Sequence, residues 1–441
     1  MANDKNFKVK NALEIGGSMK TSLGTVTSSN IDLSTGNYFK DSGNLVTYTI
    51  SNPSPVQSFN LELTGAASTI GSAFATTTYS GNGAARTITT NIDMTTDGGL
   101  VWSAWRNSQL GSAPRVMVDS VRGFNKHITS HDTAAEASAN SISAFTTTGY
   151  SMPSGDGPQG GTNYSGANYV SWSFKRTPKF FDIVQYTGTG SARTIAHNLG
   201  IEPGMILFKK TSGIQNWGVY HRGANAGTNP ENYYWRLNQN GVQNTDTNWN
   251  NGTAPTSSVF SVSDDSDNNS DGQTYIAYLF AHDASASSMI QCGHYTGNGA
   301  DTGTAVNLGW QPQWLLIKNG DVDGERWHVL DSVRGLNNGA ADPNLHVDNN
   351  SQENSNPMVD VSSTGFTPRT NDNKSNGNGH NYIYVAIRSD GDPAITWPAT
   401  VKWPGGITPT APGVGETDLY TFTTDDSGSS YYGYLSGDNL S

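Results

Sequence analysis

Asp267, Asn269 and Asp271 place side-chain oxygens at alternate positions, followed at once by Gly272. That spacing matches the first half of a loop that wraps a hard cation such as calcium, with the glycine permitting the sharp turn. The second half departs from the pattern, because its twelfth position is Tyr278 where a bidentate Glu belongs. A polar hairpin tip is the competing reading of the same residues. Eleven tryptophans raise the question of stacking against sugars. Trp217 and Trp327 flank strands at matched positions, as core residues do, whereas Trp102, Trp105, Trp235 and Trp249 lack clear counterparts and are the candidates for an exposed ligand-binding platform. Asp321, Asp323 and Glu325 form an acidic cluster. A glycosidase pair is defined by its separation in space and is not recognisable in sequence, and the three residues are read as a solvated loop. His197, His221 and His328 fall in comparable strand regions without paired metal spacing, which fits hydrogen-bonded structural histidines. The chain has no nucleophile elbow and no phosphate loop, and none of its Tyr-x-Gly-x-Gly turns supplies the third glycine of a dinucleotide site. The expectation is a protein that is not an enzyme, with no catalytic residue and no cofactor.

The elements that hold these residues come from a unit of roughly 107 residues present three times. Its opening turns are Tyr79 to Gly83, Tyr186 to Gly190 and Tyr295 to Gly299, whose glycines supply the positive φ of a hairpin. Its closing strands carry Tyr169, Tyr275 and Tyr382, which lie 106 and then 107 residues apart. Copies one and three share Asp119-Ser-Val-Arg122-Gly123 and Asp331-Ser-Val-Arg334-Gly335, while copy two keeps only Arg222-Gly223. About 100 residues are enough for each copy to close a small core of its own, so three tandem domains are expected, 71–177, 178–286 and 287–390. Met205 to Phe208 and Trp314 to Ile317 read as fully buried strands, and Phe59, Leu61 and Leu63 alternate with polar residues as a half-buried strand does. The best helical stretch is Asp132 to Ser143, which reads equally as a turn. The fold class is therefore all-β, with three tandem sandwich-type, jelly-roll-like repeats.

Composition points the same way. With 50 glycines and only 14% charged residues, the chain suits a turn-rich β protein. The net charge of −12 is spread without a basic stripe, which argues against nucleic acid as a partner. Cys292 is alone, so no disulfide forms within the chain, and assembly in a reducing cytoplasm is expected. No stretch is apolar enough for membrane insertion, and the start lacks the apolar core of a signal peptide.

Tyr186 to Gly190, Ile195 to Gly200, Asn250 to Phe260 and Thr274 to Phe280 resemble the tandem β modules of tail-fibre and other virion appendage proteins of tailed bacteriophages, cyanophages in particular. Ile31 to Phe39 with Val56 to Leu63 resembles the front half of one compact β domain of such proteins, and Ile395 to Pro398 through Leu435 resembles its back half. The resemblance implies that residues 32–70 and 391–441 make a discontinuous base domain, with the repeats inserted at one of its loops. Phe7 to Gly17 resembles the leader of phage appendage proteins, which implies an attachment segment over 1–31 that docks on other tail proteins. By the same resemblance the chain is a homotrimeric tail fibre subunit of the virion, made in the host cytoplasm. Such a fibre attaches to host cell-surface polysaccharide through many weak contacts. A head decoration, collar or baseplate component is the alternative, and a polysaccharide depolymerase is a third class.

Overall fold

The computed structural model describes residues 24–25, 30–32, 38–41, 49–51, 57–64, 70–107, 114–138, 141–154, 161–285, 288–336, 341–389, 400–406, 409, 417–426 and 429–437. Among them the chain is all-β, built of several mostly antiparallel sheets with three short 3-10 turns and no α-helix. No helix among the described residues is long and apolar enough to cross a membrane. The chain divides into two compact units, residues 1–68 with 391–441, and residues 69–390.

The first unit contains a sheet drawn from both chain ends. Gln57–Thr64 pairs antiparallel with Thr417–Thr424, which pairs in turn with Tyr431–Gly437. The alternation seen in the sequence puts Phe59 and Leu61 in the interior, where Phe59 stacks on its register partner Phe422 at 4.8 Å. Within the stretch expected to serve as an attachment segment, Gly24–Thr25 pairs parallel with Tyr38–Asp41 and so belongs to this sheet. The leader Phe7 to Gly17 lies outside the described residues.

In the second unit the same four-strand order recurs three times. Copy one runs Phe74–Ser80, Asn168–Lys175, Gly99–Trp105, Arg115–Asp119. Copy two runs Phe181–Thr187, Thr274–Ala281, Pro203–Lys210, Gly218–His221, and copy three Ile290–Thr296, Asn381–Arg388, Pro312–Asn319, Trp327–Asp331. Each is accompanied by a small second sheet or ribbon, such as Arg86–Thr89 with Gly149–Met152 in copy one and Arg193–Ala196 with Val259–Val262 in copy two. Apart from the first strand of each order, the main strands are buried along most of their length on both faces, which is why stretches such as Met205 to Phe208 and Trp314 to Ile317 read as apolar runs. In Gly99–Trp105, Leu100, Trp102 and Ala104 join one cluster, while Val101 turns to its own second sheet with Ile88 and Tyr150. Trp314 and Leu316 divide from Leu315 and Ile317 in the same manner.

The larger cluster is common to all three copies; copies one and three also keep satellite cores, whereas the second ribbon of copy two, with Ile195, Phe260 and Val262, joins the shared one. Phe174 of copy one lies 5.5 Å from Phe280 of copy two and 6.0 Å from Trp314 of copy three. The stretch Asp132 to Ser143 forms no helix over its described residues. Ala137–Ser138 is an edge strand on Lys126 and His127, and the Glu136 amide is bonded to copy two, so tertiary pairing decides its conformation.

The contacts between copies run in a closed cycle. The Glu136 amide donates to Thr211 O (3.0 Å), that of Gln243 to Gly320 O (3.0 Å) and that of Glu353 to Arg106 O (2.9 Å), taking copy one to two, two to three and three back to one. A second cycle runs in the opposite sense. Trp217 Nε1 donates to Thr129 O (2.9 Å), Trp327 Nε1 to Gln239 O (3.1 Å) and Arg115 Nε to His346 O (2.8 Å). Strand register places Trp217, Trp327 and Arg115 at one equivalent position.

Candidate functional site

The repeated turns are built by two glycines with different duties. A Cβ on the first would meet a carbonyl oxygen at 2.1 Å in Gly81 (Tyr164 O) and Gly188 (Ser270 O), and at 2.2 Å in Gly297 (Gly377 O). The second takes a positive φ, 69° at Gly83, 62° at Gly190 and 67° at Gly299. An asparagine closes each turn. Asn163, Asn269 and Asn376 each accept at Oδ1 from the amide of the residue between the two glycines (3.1 Å) and donate from Nδ2 to a carbonyl beyond the turn (2.7 Å). The opening tyrosine stacks on the closing one at 5.0, 5.4 and 4.9 Å.

This arrangement explains the calcium-like string. Asn269 is the clamp of the second turn, with its amide oxygen on Thr189 N. Asp267 accepts from Gln215 Nε2 (2.6 Å) and faces Arg236 (3.6 Å), and burial followed by repulsion from Asp265 raises its carboxyl above the usual range. Asp271 is exposed. Two of the three candidate side chains are therefore committed to protein partners. No group of three or more His, Cys, Asp or Glu among the described residues is arranged to hold a metal.

The four tryptophans proposed as an exposed platform lie inside. Trp102 and Trp105 are 0% exposed and Trp235 and Trp249 are 1% exposed. Trp102 packs edge-on to Trp172 at 5.9 Å, and Trp105 donates Nε1 to Gly161 O (2.7 Å). Trp235 lies edge-on to Trp327 at 6.3 Å, and Trp249 stacks on Tyr234 at 5.1 Å. An indole without an exposed face gives a sugar nothing to stack on. The copies lack matching tryptophans because each fills the same interior with different side chains: strand register makes Leu100, Met205 and Trp314 equivalent. Trp217 and Trp327 are core residues, as their matched positions indicated.

The strongest electrostatic feature is the shared Asp-Ser-Val-Arg-Gly marker. Asp119 and Arg122 are buried and joined at 2.6 Å, and Tyr278 of copy two donates its hydroxyl to Asp119 Oδ2 at 2.7 Å. Asp331 and Arg334 repeat the pair at 2.6 Å, with Trp172 Nε1 of copy one donating to Asp331 Oδ2 at 3.0 Å. Arg334 continues to Glu353 (3.0 Å), which receives a bidentate pair from Arg106 of copy one at 2.8 and 3.0 Å. Burial alone would raise the Glu353 carboxyl, but the two guanidinium groups outweigh it and hold the group below its ordinary value. In copy two the same register position is His221, whose Nε2 meets Tyr384 O of copy three at 3.1 Å. Burial lowers that imidazole to about 3, so it is neutral. Each marker thus ties one copy to the next, which the sequence motif by itself did not reveal.

The remaining candidates are structural as well. His197 bonds through both ring nitrogens, to Thr256 O (3.1 Å) and Leu199 N (3.2 Å). Asp321 Oδ2 accepts from Asn381 N at 2.7 Å, which fastens the acidic loop to the closing strand of copy three. An open cleft of about 300 Å³ lies beside Asp97, Arg176 and Asn198. Its buried carboxylate, Asp182, is already taken by Arg176 (2.9 Å) and by Asn198 N (2.8 Å).

Residues 70–390 match the family model described as a domain of unknown function, DUF7483, and the chain belongs to that family. No curated protein matches the chain. A solved structure described as "Crystal Structure of the STIV MCP" is 7% identical and covers 48% of this chain and 89% of its own, with a TM-score of 0.13, a likeness too slight to carry an argument.

Proposed function

We propose that this family member is a structural protein of a tailed-bacteriophage virion, a tail fibre subunit that contributes to host attachment, and not an enzyme. One observation carries the structural part of the reading. The carboxylates of the two buried ion pairs in residues 69–390 each accept a bond from a neighbouring copy, and most of the indoles bound to another group reach across copies, so the chemistry that a catalyst would keep accessible holds a scaffold closed. The fibre assignment rests on the sequence resemblance. In this reading the three copies are jelly-roll-like sandwich modules carried by a base domain formed from both chain ends, and three chains assemble as a homotrimer. Host polysaccharide is held by avidity, since each chain presents three sets of equivalent loops and weak contacts multiply when they are tethered. The alternative, a non-adhesive head, collar or baseplate component, is favoured by the burial of all four candidate indoles.

Labelling intact particles with antibody against residues 181–390, viewed by electron microscopy, separates the two. Label at the distal tail periphery supports attachment. Label on the head, or at a collar reached only after disruption, overturns the fibre assignment and leaves the structural role.

A further inference from the structure

Two histidines of copy three stand side by side with nitrogens that nothing satisfies. His328 lies on Trp327–Asp331 and His346 ends the neighbouring strand Asp342–His346, and the register pairs them directly. Their rings are 4.9 Å apart at 80°. Asn344, two residues before His346 and hence on the same face of the strand, is fully buried. Its Oδ1 lies 3.4 Å from His328 Nδ1, an arrangement that a proton on Nδ1 satisfies and that leaves the Nε2 lone pair bare. His328 is 2% exposed, yet Nε2 is buried without a partner, and so is Nδ1 of His346.

Unpartnered nitrogens in an interior are uncommon and cost about 1–3 kcal/mol each. Two on adjacent rings, one of them with an amide against its other nitrogen, resemble how proteins prepare imidazole to ligate a metal. Burial keeps both rings neutral, with His328 lowered to about 4 and His346 to about 3. The repeat fold does not itself demand the pair. His328 is opposite Ile317 as Gly218 is opposite Phe208, and in copy two a Cβ at Gly218 would meet Trp249 at 2.3 Å, so an indole fills the equivalent space.

We propose that His328 Nε2 and His346 Nδ1 bind one late first-row transition-metal dication of the zinc, nickel or copper type, with water completing its coordination. Hard cations are excluded, because calcium and magnesium require oxygen ligands. Four cations act on the pair: Arg326 and Lys374 are paired with Asp348 and Asp372, while Lys318 and Arg115 donate to the carbonyls of Asn319 and His346 and oppose the metal's charge. The site would stiffen the closing junction of the cycle, since the His346 carbonyl is the acceptor of Arg115 from copy one.

The test is titration of the full chain with Zn²⁺ by calorimetry and with Cu²⁺ by electron paramagnetic resonance. The expected result is one saturable metal per chain with two equatorial imidazole nitrogens. His328→Gln and His346→Gln each lose saturable binding, Asn344→Leu weakens it about tenfold or more, and His197→Gln leaves it unchanged. Because His346 is only partly buried, His346→Gln is the variant least exposed to misfolding. Absence of saturable binding by the wild-type chain, or wild-type affinity in a folded His346→Gln chain, overturns the proposal.

Discussion

Tyr278→Phe removes one hydroxyl from copy two and weakens copy one. The hydroxyl donates to the buried Asp119 carboxylate at 2.7 Å and accepts from Arg122 Nη2 at 3.3 Å, while the ring itself is retained. A hydrogen bond to a buried charge contributes about 1.5–3 kcal/mol, and the longer contact to Arg122 adds little. The expected loss is therefore about 2–3 kcal/mol. Asp119→Ala leaves the buried Arg122 without its main counter-charge and costs about 3–5 kcal/mol. The two changes remove one shared interaction, so the double variant falls short of their sum by about 1–2 kcal/mol. Urea unfolding of the full chain, followed by tryptophan fluorescence and far-ultraviolet dichroism, reads both quantities. Because all three copies contribute to one cluster, the whole signal of residues 69–390 shifts as a single transition to lower midpoint with unchanged slope. A variant transition that splits, with part of the signal left at the wild-type midpoint, refutes the shared core. A coupling below about 0.5 kcal/mol refutes the cross-copy bond.

The turn glycines should differ in sensitivity. Gly190→Ala carries a left-handed residue at about 1–2 kcal/mol, whereas Gly188→Ala drives a Cβ to 2.1 Å from Ser270 O and costs more in the same unfolding assay. Asn269→Ala removes the clamp and lowers the thermal midpoint equally in calcium and in chelator, and a calcium-dependent midpoint in the wild-type chain would restore the cation reading. Acid should weaken residues 69–390 through their buried histidines. His221, for one, is lowered to about 3, so well above an ordinary imidazole value of about 6.5 the two states bind protons alike. As pH falls below that value the unfolded chain gains protons the native one refuses, and by pH 5 this group costs about 2 kcal/mol. His221→Gln, measured from pH 7 to pH 5, should flatten part of that decline, and an unchanged pH profile would show that the imidazole is not held neutral.

Much of the architecture was present in the order of residues. The 107-residue spacing, the tyrosine and glycine turns, the apolar strand runs and the alternation of Phe59 and Leu61 are local patterns, set by φ preferences and by the period of two in a strand, so they survive as text. The string Asp267 to Gly272 was legible as a polar tip for the same reason, but the duty of Asn269 was not, because its partners lie near residue 190. The markers Asp119 and Asp331 were visible as a repeated motif, while their acceptance of bonds from Tyr278 and Trp172 was not.

What only the tertiary structure decided is which faces are covered. Trp102, Trp105, Trp235 and Trp249 read as unmatched aromatics; three of them became interior once three sheets closed around one core, and Trp105 did so against Ala167 and Tyr169 of its own copy. His221 replaces an aspartate in register without any sequence alignment suggesting it, because equivalence there is set by the strand opposite, at Met205 and Trp314. The sequence determined the three units and their strands, since those depend on neighbours along the chain. Closure into a cycle depended on surfaces brought together from positions as distant as Arg106 and Glu353, whose complementarity exists only in space.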